Sequence, residues 1–186
     1  MSTNFGPTAI LTPANLVTLG RMAGAPFVGY LLYNNGPSWL VVILWFVVSA
    51  SDGVDGFVAR KMGATTSGAF LDPLADKVAV LIAMTGLVFA RRVAIIALLL
   101  IALREISMSV FRSYAARRGV SIPARLSAKI KTVFQDLSIG FACLPWSKSH
   151  EMWLDVTVWI AVGLTLFTGF QYLIDGRKVM ASIHES

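Results

Sequence analysis

The stretch from Trp39 to Arg60 decides the fold and reads WLVVILWFVVSASDGVDGFVAR. Its first half is an unbroken apolar run, and its second half carries two carboxylates three residues apart, Asp52 and Asp55. A helix needs about 20 apolar residues to cross a bilayer, and the alternating pattern of a membrane barrel strand is missing here. The segment therefore predicts a membrane-spanning helix with ionisable groups toward one end.

Similar apolar segments occur on both sides of this stretch, so we predict an all-α integral membrane protein with six transmembrane helices. The predicted spans are Leu16–Tyr33, Trp39–Arg60, Gly68–Ala90, Val93–Ala115, Ile130–Trp146 and Trp153–Leu173. Asn15 is a plausible helix cap, and we expect a short N-terminal interfacial helix that turns near Pro26 into the first span. The 186 residues are predicted to form a single domain, residues 1–186.

Composition supports the membrane assignment. Hydrophobic residues make up 56% of the chain and charged residues 14%, whereas soluble domains carry about 25% charge. The net charge of +6 does not predict nucleic-acid binding, because the basic residues gather between apolar segments instead of forming a stripe. The single cysteine, Cys143, cannot form an intramolecular disulfide.

The distribution of basic residues predicts the orientation. Six spans place both termini on one side, together with ten basic residues, and three basic residues on the other side. The first group is Arg60, Lys61, Arg112, Arg117, Arg118, Arg125, Lys129, Lys131, Arg177 and Lys178, and the second is Arg91, Arg92 and Lys148. The positive-inside rule puts the first group in the cytoplasm. The first ten residues hold no Lys or Arg, so no cleavable signal peptide is expected.

Four carboxylates lie where two predicted spans meet the cytoplasmic surface. Asp52 and Asp55 are three residues apart and Asp72 and Asp76 are four apart, so each pair shares a helix face. The short connection makes the two helices antiparallel neighbours, which allows the pairs to face each other. Carboxylates beside a bilayer are costly unless they are paired, hydrated or metal-bound. Clustered hard oxygen ligands suit Mg²⁺, Mn²⁺ or Ca²⁺ and not zinc.

This motif resembles the signature of the CDP-alcohol phosphotransferase family. That signature has Asp, two residues, Asp-Gly, two residues, Ala-Arg, a spacer, Gly, three residues, Asp, three residues and Asp. The matching positions are Asp52, Asp55, Gly56, Ala59, Arg60, Gly68, Asp72 and Asp76. The spacer here, 61–67, is one residue shorter than the usual eight.

The resemblance implies cleavage of a CDP-linked donor, release of CMP and transfer of the phosphoryl unit to an alcohol. It implies one or two Mg²⁺ or Mn²⁺ ions, a catalytic base, a nucleotide pocket and a homodimer. The implied metal ligands are Asp52, Asp55, Asp72 and Asp76, with Asp76 also the base, and the nucleotide pocket would be Asp52, Gly56, Ala59, Arg60 and Gly68. Two simpler interpretations stay open, namely that Arg60 anchors the helix at the headgroups and that Asp76 pairs with Lys77.

Two further patterns resemble the phosphatidylglycerophosphate synthases of this family. They are Arg104-Glu105 in the fourth span and Ala128-Lys129-Ile130-Lys131-Thr132 at the start of the fifth, where Ala128 replaces a glycine. The implied reaction joins CDP-diacylglycerol to sn-glycerol 3-phosphate.

A phosphorylated acceptor needs cations, and the predicted acceptor-phosphate set is Arg104, Arg112, Lys129 and Lys131. The alternative for Arg112, Arg117, Arg118 and Arg125 is an ordinary basic loop that sets topology. Arg104 needs a partner within its apolar span. We expect that partner to be the carboxylate cluster or a bound phosphate and not Glu105, because adjacent helix residues point about 100° apart.

Other functions stay open at this point. Within the family, the acceptor could be inositol phosphate, or phosphatidylglycerol in a cardiolipin synthase. An ion-coupled transporter is the alternative of a different class, since carboxylates in membranes also carry ions. Against it, the carboxylates lie near one membrane face and the sequence has no inverted repeat. The family resemblance implies a multi-pass protein of a bacterial plasma membrane, with both termini and the active site cytoplasmic.

Overall fold

The computed structural model describes the backbone of residues 12–62, 66–117 and 126–184; within these ranges the side chains of 13–15, 52–73, 116 and 175–184 are not described. Six α-helices and one short 3₁₀ helix make up this part of the chain. They are α1 (Pro13–Asn35), α2 (Trp39–Met62), α3 (Thr66–Phe89), α4 (Ile95–Arg117), α5 (Leu126–Cys143), the 3₁₀ helix (Pro145–Ser149) and α6 (Glu151–His184). The described residues contain no strand, which confirms the all-α prediction.

Three of the helix connections meet at one end of the bundle. Arg92, in the turn between α3 and α4, donates from Nη2 to the carbonyl and hydroxyl oxygens of Ser147, at 2.9 and 3.1 Å. Gly36, between α1 and α2, lies against Lys148, and its φ of +71° is one that glycine adopts without strain. The helices therefore alternate in direction, so that α2 and α4 end, and α3 and α5 begin, at the opposite end of the bundle.

In the first half of the bundle, α1 has extensive contacts with both α3 and α2. Glycine makes the contact with α3 close, because a Cβ added to Gly86 would lie 2.5 Å from the Cα of Gly29. A Cβ added to Gly24 would lie 2.9 Å from Val48 of α2. Small residues let membrane helices approach in this way. The described parts of α2 and α3 contact each other little, so α1 mediates much of their packing.

The start of the bundle differs from the expectation of a short helix that turns near Pro26. The structure has one helix through this position, with Pro26 inside α1. A proline removes one backbone hydrogen bond and crowds the preceding turn, but packing against neighbouring helices makes this tolerable inside a membrane helix. The buried residues Ala25 and Val28 flank Pro26 and hold this part of α1 in the core.

The outer surface of the bundle is rich in large apolar side chains. Phe46, Phe89, Leu103 and Phe170 are each more than 60% exposed, as expected for side chains that face lipid. Within the described residues, one helix segment, Glu151–Ile174, is long and apolar enough to span a membrane on composition alone. The number of membrane spans stays a prediction.

The second half of the bundle buries polar side chains between α4, α5 and α6. Gln135 of α5 donates to the hydroxyl of Thr165 in α6 at 2.9 Å, and Ser138 donates to the carbonyl of Thr157 at 2.9 Å. Trp45 ties α2 to this half by donating to the backbone carbonyl of Asp136 at 3.0 Å. These bonds satisfy groups that would be costly if left unpaired in an apolar interior. Further polar residues of the same helices form the candidate site.

Candidate functional site

Glu105 is the central carboxylate of the site and is almost fully buried on α4. Its Oε1 pairs with the ammonium group of Lys131 on α5 and, at 3.0 Å, with Nη1 of Arg104. A buried carboxylate needs such partners, because an unpaired charge in a low-dielectric interior is strongly destabilising. The site therefore contains one buried carboxylate, that of Glu105, paired with two basic side chains.

The contact between Arg104 and Glu105 corrects the expectation that these neighbours would not pair. Their side chains leave the helix in different directions, but the arginine is long enough to fold back toward the carboxylate. Contacts with α6 hold it there: Nη2 donates to Thr168 at 3.0 Å, and the missing side chain of Gly169 makes room, since a Cβ would lie 3.2 Å from the arginine Cγ. The tertiary contact with α6 decided the pairing.

A cavity of about 190 Å³ opens beside this ion cluster, between α3, α4, α5 and α6. Its lining residues are Lys77, Arg104, Glu105, Met108, Arg112, Ala128, Lys129, Lys131, Thr132 and Tyr172. The structure thus brings together all four residues of the predicted acceptor-phosphate set. Arg112, which the basic-loop alternative left outside a site, also donates to the hydroxyl of Tyr172 at 3.0 Å. Whether the cavity takes a phosphate stays a prediction.

Lys77 also lines this cavity, and sequence reasoning did not assign it there. Its ammonium group donates to the hydroxyl of Ser109 on α4, and that hydroxyl donates in turn to the backbone carbonyl of Glu105 at 2.7 Å. The suggested pair with Asp76 is not what the structure has, because the two side chains face different helices. The sequence signal that could have placed Lys77 at the site is its position immediately after the motif carboxylate Asp76.

Asp76 faces α1, where Arg21 donates to its Oδ1. Arg21 is 3% exposed and also donates from Nε to the hydroxyl of Ser51 at 3.2 Å. The side chain of Asp76 is 35% exposed and therefore remains open to a ligand. No role was predicted for Arg21 from the sequence, although an arginine within an apolar helix needs a partner.

The rest of the carboxylate motif lies outside the described side chains. Asp52 and Asp55 belong to α2 and Asp72 to α3, but their side chains are not described. The same holds for the predicted nucleotide-binding residues Gly56, Ala59, Arg60 and Gly68. Among the described side chains, no three His, Cys, Asp or Glu residues lie close enough together to hold a metal ion. The metal site and the nucleotide pocket stay predictions.

Two of the other basic residues, Arg118 and Arg125, also fall outside the described residues. Arg117 ends α4 and is exposed to solvent. The structure thus separates Arg112, which faces the cavity, from Arg117, which does not.

Comparisons with known proteins identify a family and several relatives. Residues 11–167 match the family described as CDP-alcohol phosphatidyltransferase. A CDP-diacylglycerol–glycerol-3-phosphate 3-phosphatidyltransferase of Rickettsia bellii is 35% identical over 171 residues, covering 88% of this chain and 94% of the relative. A probable phosphatidylglycerophosphate synthase of Mycobacterium tuberculosis is 34% identical, covering 97% of this chain and 89% of the relative. A Bacillus subtilis protein with the same name as the Rickettsia enzyme is 34% identical, covering 70% and 69%.

Proposed function

The chain belongs to the CDP-alcohol phosphatidyltransferase family, and on this premise we propose that it transfers a phosphatidyl group from CDP-diacylglycerol to sn-glycerol 3-phosphate. The products are phosphatidylglycerophosphate and CMP. The names of the relatives support the donor and the acceptor. The observation that carries the proposal for this chain is the cation-lined cavity beside α3.

The charges around the cavity favour a phosphate monoester as acceptor. Five basic side chains and one carboxylate line a space of about 190 Å³, so positive charge exceeds negative even with Glu105 in place. A dianionic monoester matches this excess through charge-assisted hydrogen bonds, with arginine as a fork and lysine as a point charge. Phosphatidylglycerol carries a singly charged phosphodiester and needs fewer cations. The cavity thus favours glycerol 3-phosphate over the acceptor of a cardiolipin synthase.

The family resemblance assigns the donor to residues of α2 and of the start of α3. Asp52, Gly56, Ala59, Arg60 and Gly68 would contact the cytidine nucleotide. Three of these five residues are glycine or alanine, and such small side chains let a ligand approach the backbone closely. Arg60 would add a cation for the pyrophosphate.

We further assign one or two Mg²⁺ or Mn²⁺ ions to Asp52, Asp55, Asp72 and Asp76. Carboxylate oxygens are the ligands that these cations prefer, and Asp76, the member whose side chain is described, is partly exposed and open to a ligand. When bound, the cation would neutralise the pyrophosphate and stabilise charge on the departing phosphate. Arg21 donates to Asp76 and so balances part of its charge.

The reaction needs one proton acceptor, and we assign this role to Asp76. The acceptor hydroxyl loses its proton to the Asp76 carboxylate while its oxygen bonds to the phosphorus of the phosphatidyl group. The bond between that phosphorus and the bridging oxygen breaks, and CMP leaves with the electron pair. Arg104, Arg112, Lys129 and Lys131 would meanwhile hold the acceptor phosphate and so orient its hydroxyl.

The test is CMP release by purified protein in detergent, with CDP-diacylglycerol, Mg²⁺ or Mn²⁺, and each acceptor in turn. We expect release that requires both the metal and glycerol 3-phosphate. Asp76→Asn should lower kcat by roughly 10²- to 10⁴-fold, the usual contribution of a general base. Size-exclusion chromatography of the variant would verify that it remains folded.

Each other outcome overturns a defined part of the proposal. Turnover only with phosphatidylglycerol or inositol phosphate would keep the family and replace the acceptor. Substrate-independent ion flux without CMP release would favour a transporter. The homodimer and the cytoplasmic face of the active site are also proposals, and crosslinking in native membranes and labelling of single cysteines would test them.

A further inference from the structure

We propose that Lys77 is a further binding residue for the acceptor phosphate, so that one turn of α3 contacts both ends of the acceptor. Lys77 would hold the phosphate, and its neighbour Asp76 would receive the proton of the hydroxyl. This inference rests on the proposed function and adds a residue to the acceptor site. It also gives a structural reason for selecting an acceptor with a phosphate and a hydroxyl close together.

The position of Lys77 is the first argument. It lines the same cavity as Arg104, Arg112 and Lys131, which come from α4 and α5, and it is the cation that α3 contributes. Its described hydrogen bond goes to a neutral hydroxyl, that of Ser109. An ammonium group has three donors, and a phosphate oxygen is a stronger acceptor for them than a hydroxyl. An anion entering the cavity would therefore attract the Lys77 ammonium.

The direction of the two neighbouring side chains is the second argument. Asp76 points to Arg21 on α1, and Lys77 points to Ser109 on α4. Consecutive helix residues diverge by about 100°, so the carboxylate and the ammonium group leave α3 toward different neighbouring helices. Thr132 of α5 lines the cavity beside Lys77 and also the small cavity beside Asp76. Thr132 is therefore a lining residue common to both cavities.

An acceptor bound beside Thr132 would have a defined orientation. Its phosphate lies among Lys77, Arg104 and Lys131, and its hydroxyl passes Thr132 toward Asp76. Glycerol 3-phosphate has three carbons between its two ends and can bridge adjacent side chains of one helix. Glycerol without a phosphate would lose the contacts that orient it.

A purely structural role for Lys77 is the competing explanation. In that case its bond to Ser109 ties α3 to α4, and the lysine has no contact with the acceptor. The two explanations differ for Ser109→Ala, which removes the tie and keeps the cation. Lys77→Met removes the cation and keeps most of the aliphatic stem, so the two variants form a matched pair.

The experiment measures steady-state kinetics of wild type, Lys77→Met, Lys77→Arg and Ser109→Ala in detergent. We expect Lys77→Met to raise the KM for glycerol 3-phosphate roughly 10- to 100-fold, as for loss of a charged hydrogen bond, with the KM for CDP-diacylglycerol within about twofold. Lys77→Arg should restore most of the acceptor affinity because it keeps the charge. Ser109→Ala should leave the acceptor KM near that of wild type.

Equilibrium dialysis with radiolabelled glycerol 3-phosphate, without donor, supplies a readout independent of turnover. Binding by Lys77→Met should weaken by the same factor, and binding by Ser109→Ala should not. If Lys77→Met does not fold, Lys77→Gln carries the same test, since it removes the charge and keeps a polar end.

The outcomes separate this inference from the proposed function. If Lys77→Met and Ser109→Ala change stability and KM equally, or if Lys77→Met lowers kcat alone, Lys77 is structural and the inference is wrong. If wild type neither binds nor uses glycerol 3-phosphate, the proposed acceptor is wrong and the inference fails with it. Wild-type activity with an unaffected Lys77→Met variant refutes the inference alone.

Discussion

Arg92 and Arg104 are both arginines with a buried nitrogen, but their guanidinium groups have different hydrogen-bond partners. Each has a buried nitrogen without a hydrogen-bond partner in the described structure, Nη1 in Arg92 and Nε in Arg104. Arg92 lies in the α3–α4 turn and bonds to neutral oxygens of Ser147. Arg104 lies midway along α4 and bonds to the Glu105 carboxylate and Thr168.

The difference lies in the surroundings. Burial lowers the pKa of the Arg92 guanidinium, and the more distant Glu151 counteracts part of this shift. Its contacts close one end of the bundle, and it lines no described cavity near other cations. Arg104 lies beside a cavity with four other basic side chains. Burial of an arginine thus indicates structural importance, and convergence of several cations on an open space indicates a ligand site.

The largest expected effect in this comparison is the loss of Arg104. Arg104→Met should lower kcat/KM for glycerol 3-phosphate roughly 100-fold, because it removes a charged phosphate contact and one partner of Glu105. Arg92→Met, its matched control, should destabilise the protein by about 1–2 kcal/mol through the lost bonds to Ser147. Its acceptor KM should stay within about twofold of wild type. Equal losses of kcat/KM in the two variants would remove the distinction between the two arginines.

Removal of the buried anion is the next test. Glu105→Gln leaves Lys131 and Arg104 without their carboxylate and should destabilise the protein by about 3 kcal/mol. Inorganic phosphate should raise the thermal midpoint of this variant more than that of wild type, since a ligand that binds the folded state stabilises it. Ser147→Ala, at the Arg92 end, should lose about 1 kcal/mol and respond to phosphate as wild type does. An equal phosphate response in Glu105→Gln and wild type would contradict phosphate binding by the cations that Glu105 neutralises.

The smallest effect is expected at Gly169. A Cβ there would lie 3.2 Å from Cγ of Arg104, so Gly169→Ala should shift the guanidinium slightly and raise the acceptor KM about two- to threefold. Gly163→Ala is the control on the same helix, because no atom lies within 4 Å of its added Cβ. It should stabilise α6 by about 0.5–1 kcal/mol through helix propensity and leave the KM unchanged. A larger KM change for Gly163→Ala than for Gly169→Ala would show that the packing against Arg104 is unimportant.

The helix positions were predictable from the sequence because the length of an apolar segment is a local property of the chain. Predicted spans such as Trp39–Arg60 and Gly68–Ala90 agree with α2 and α3 to within a few residues. The continuous α1 was harder, because proline is a local helix breaker and only the packing of its neighbours shows that it is tolerated. Likewise, α6 continues to His184, past the predicted end of the apolar segment.

Partners within the site were less predictable than its residues. The four predicted acceptor residues line one cavity, since a motif identifies residue types that work together. The pairing of Arg104 with Glu105 depends on α6, the contact of Arg21 with Asp76 on α1, and the orientation of Lys77 on α4. Each of these helices is distant from its partner in sequence, and no local spacing rule reports the contact.

By itself the sequence determined the helical class, the approximate helix positions, the family motif and four of the residues that line the cavity beside Glu105. These follow from the length of apolar runs, the cost of charges near lipid and fixed motif spacing, all of which are short-range properties. Only the tertiary structure decided which charges neutralise each other, and that Asp76 points toward α1 and Lys77 toward α4. Such pairings depend on long side chains reaching across helix interfaces, where position in space and not distance along the chain selects the partner.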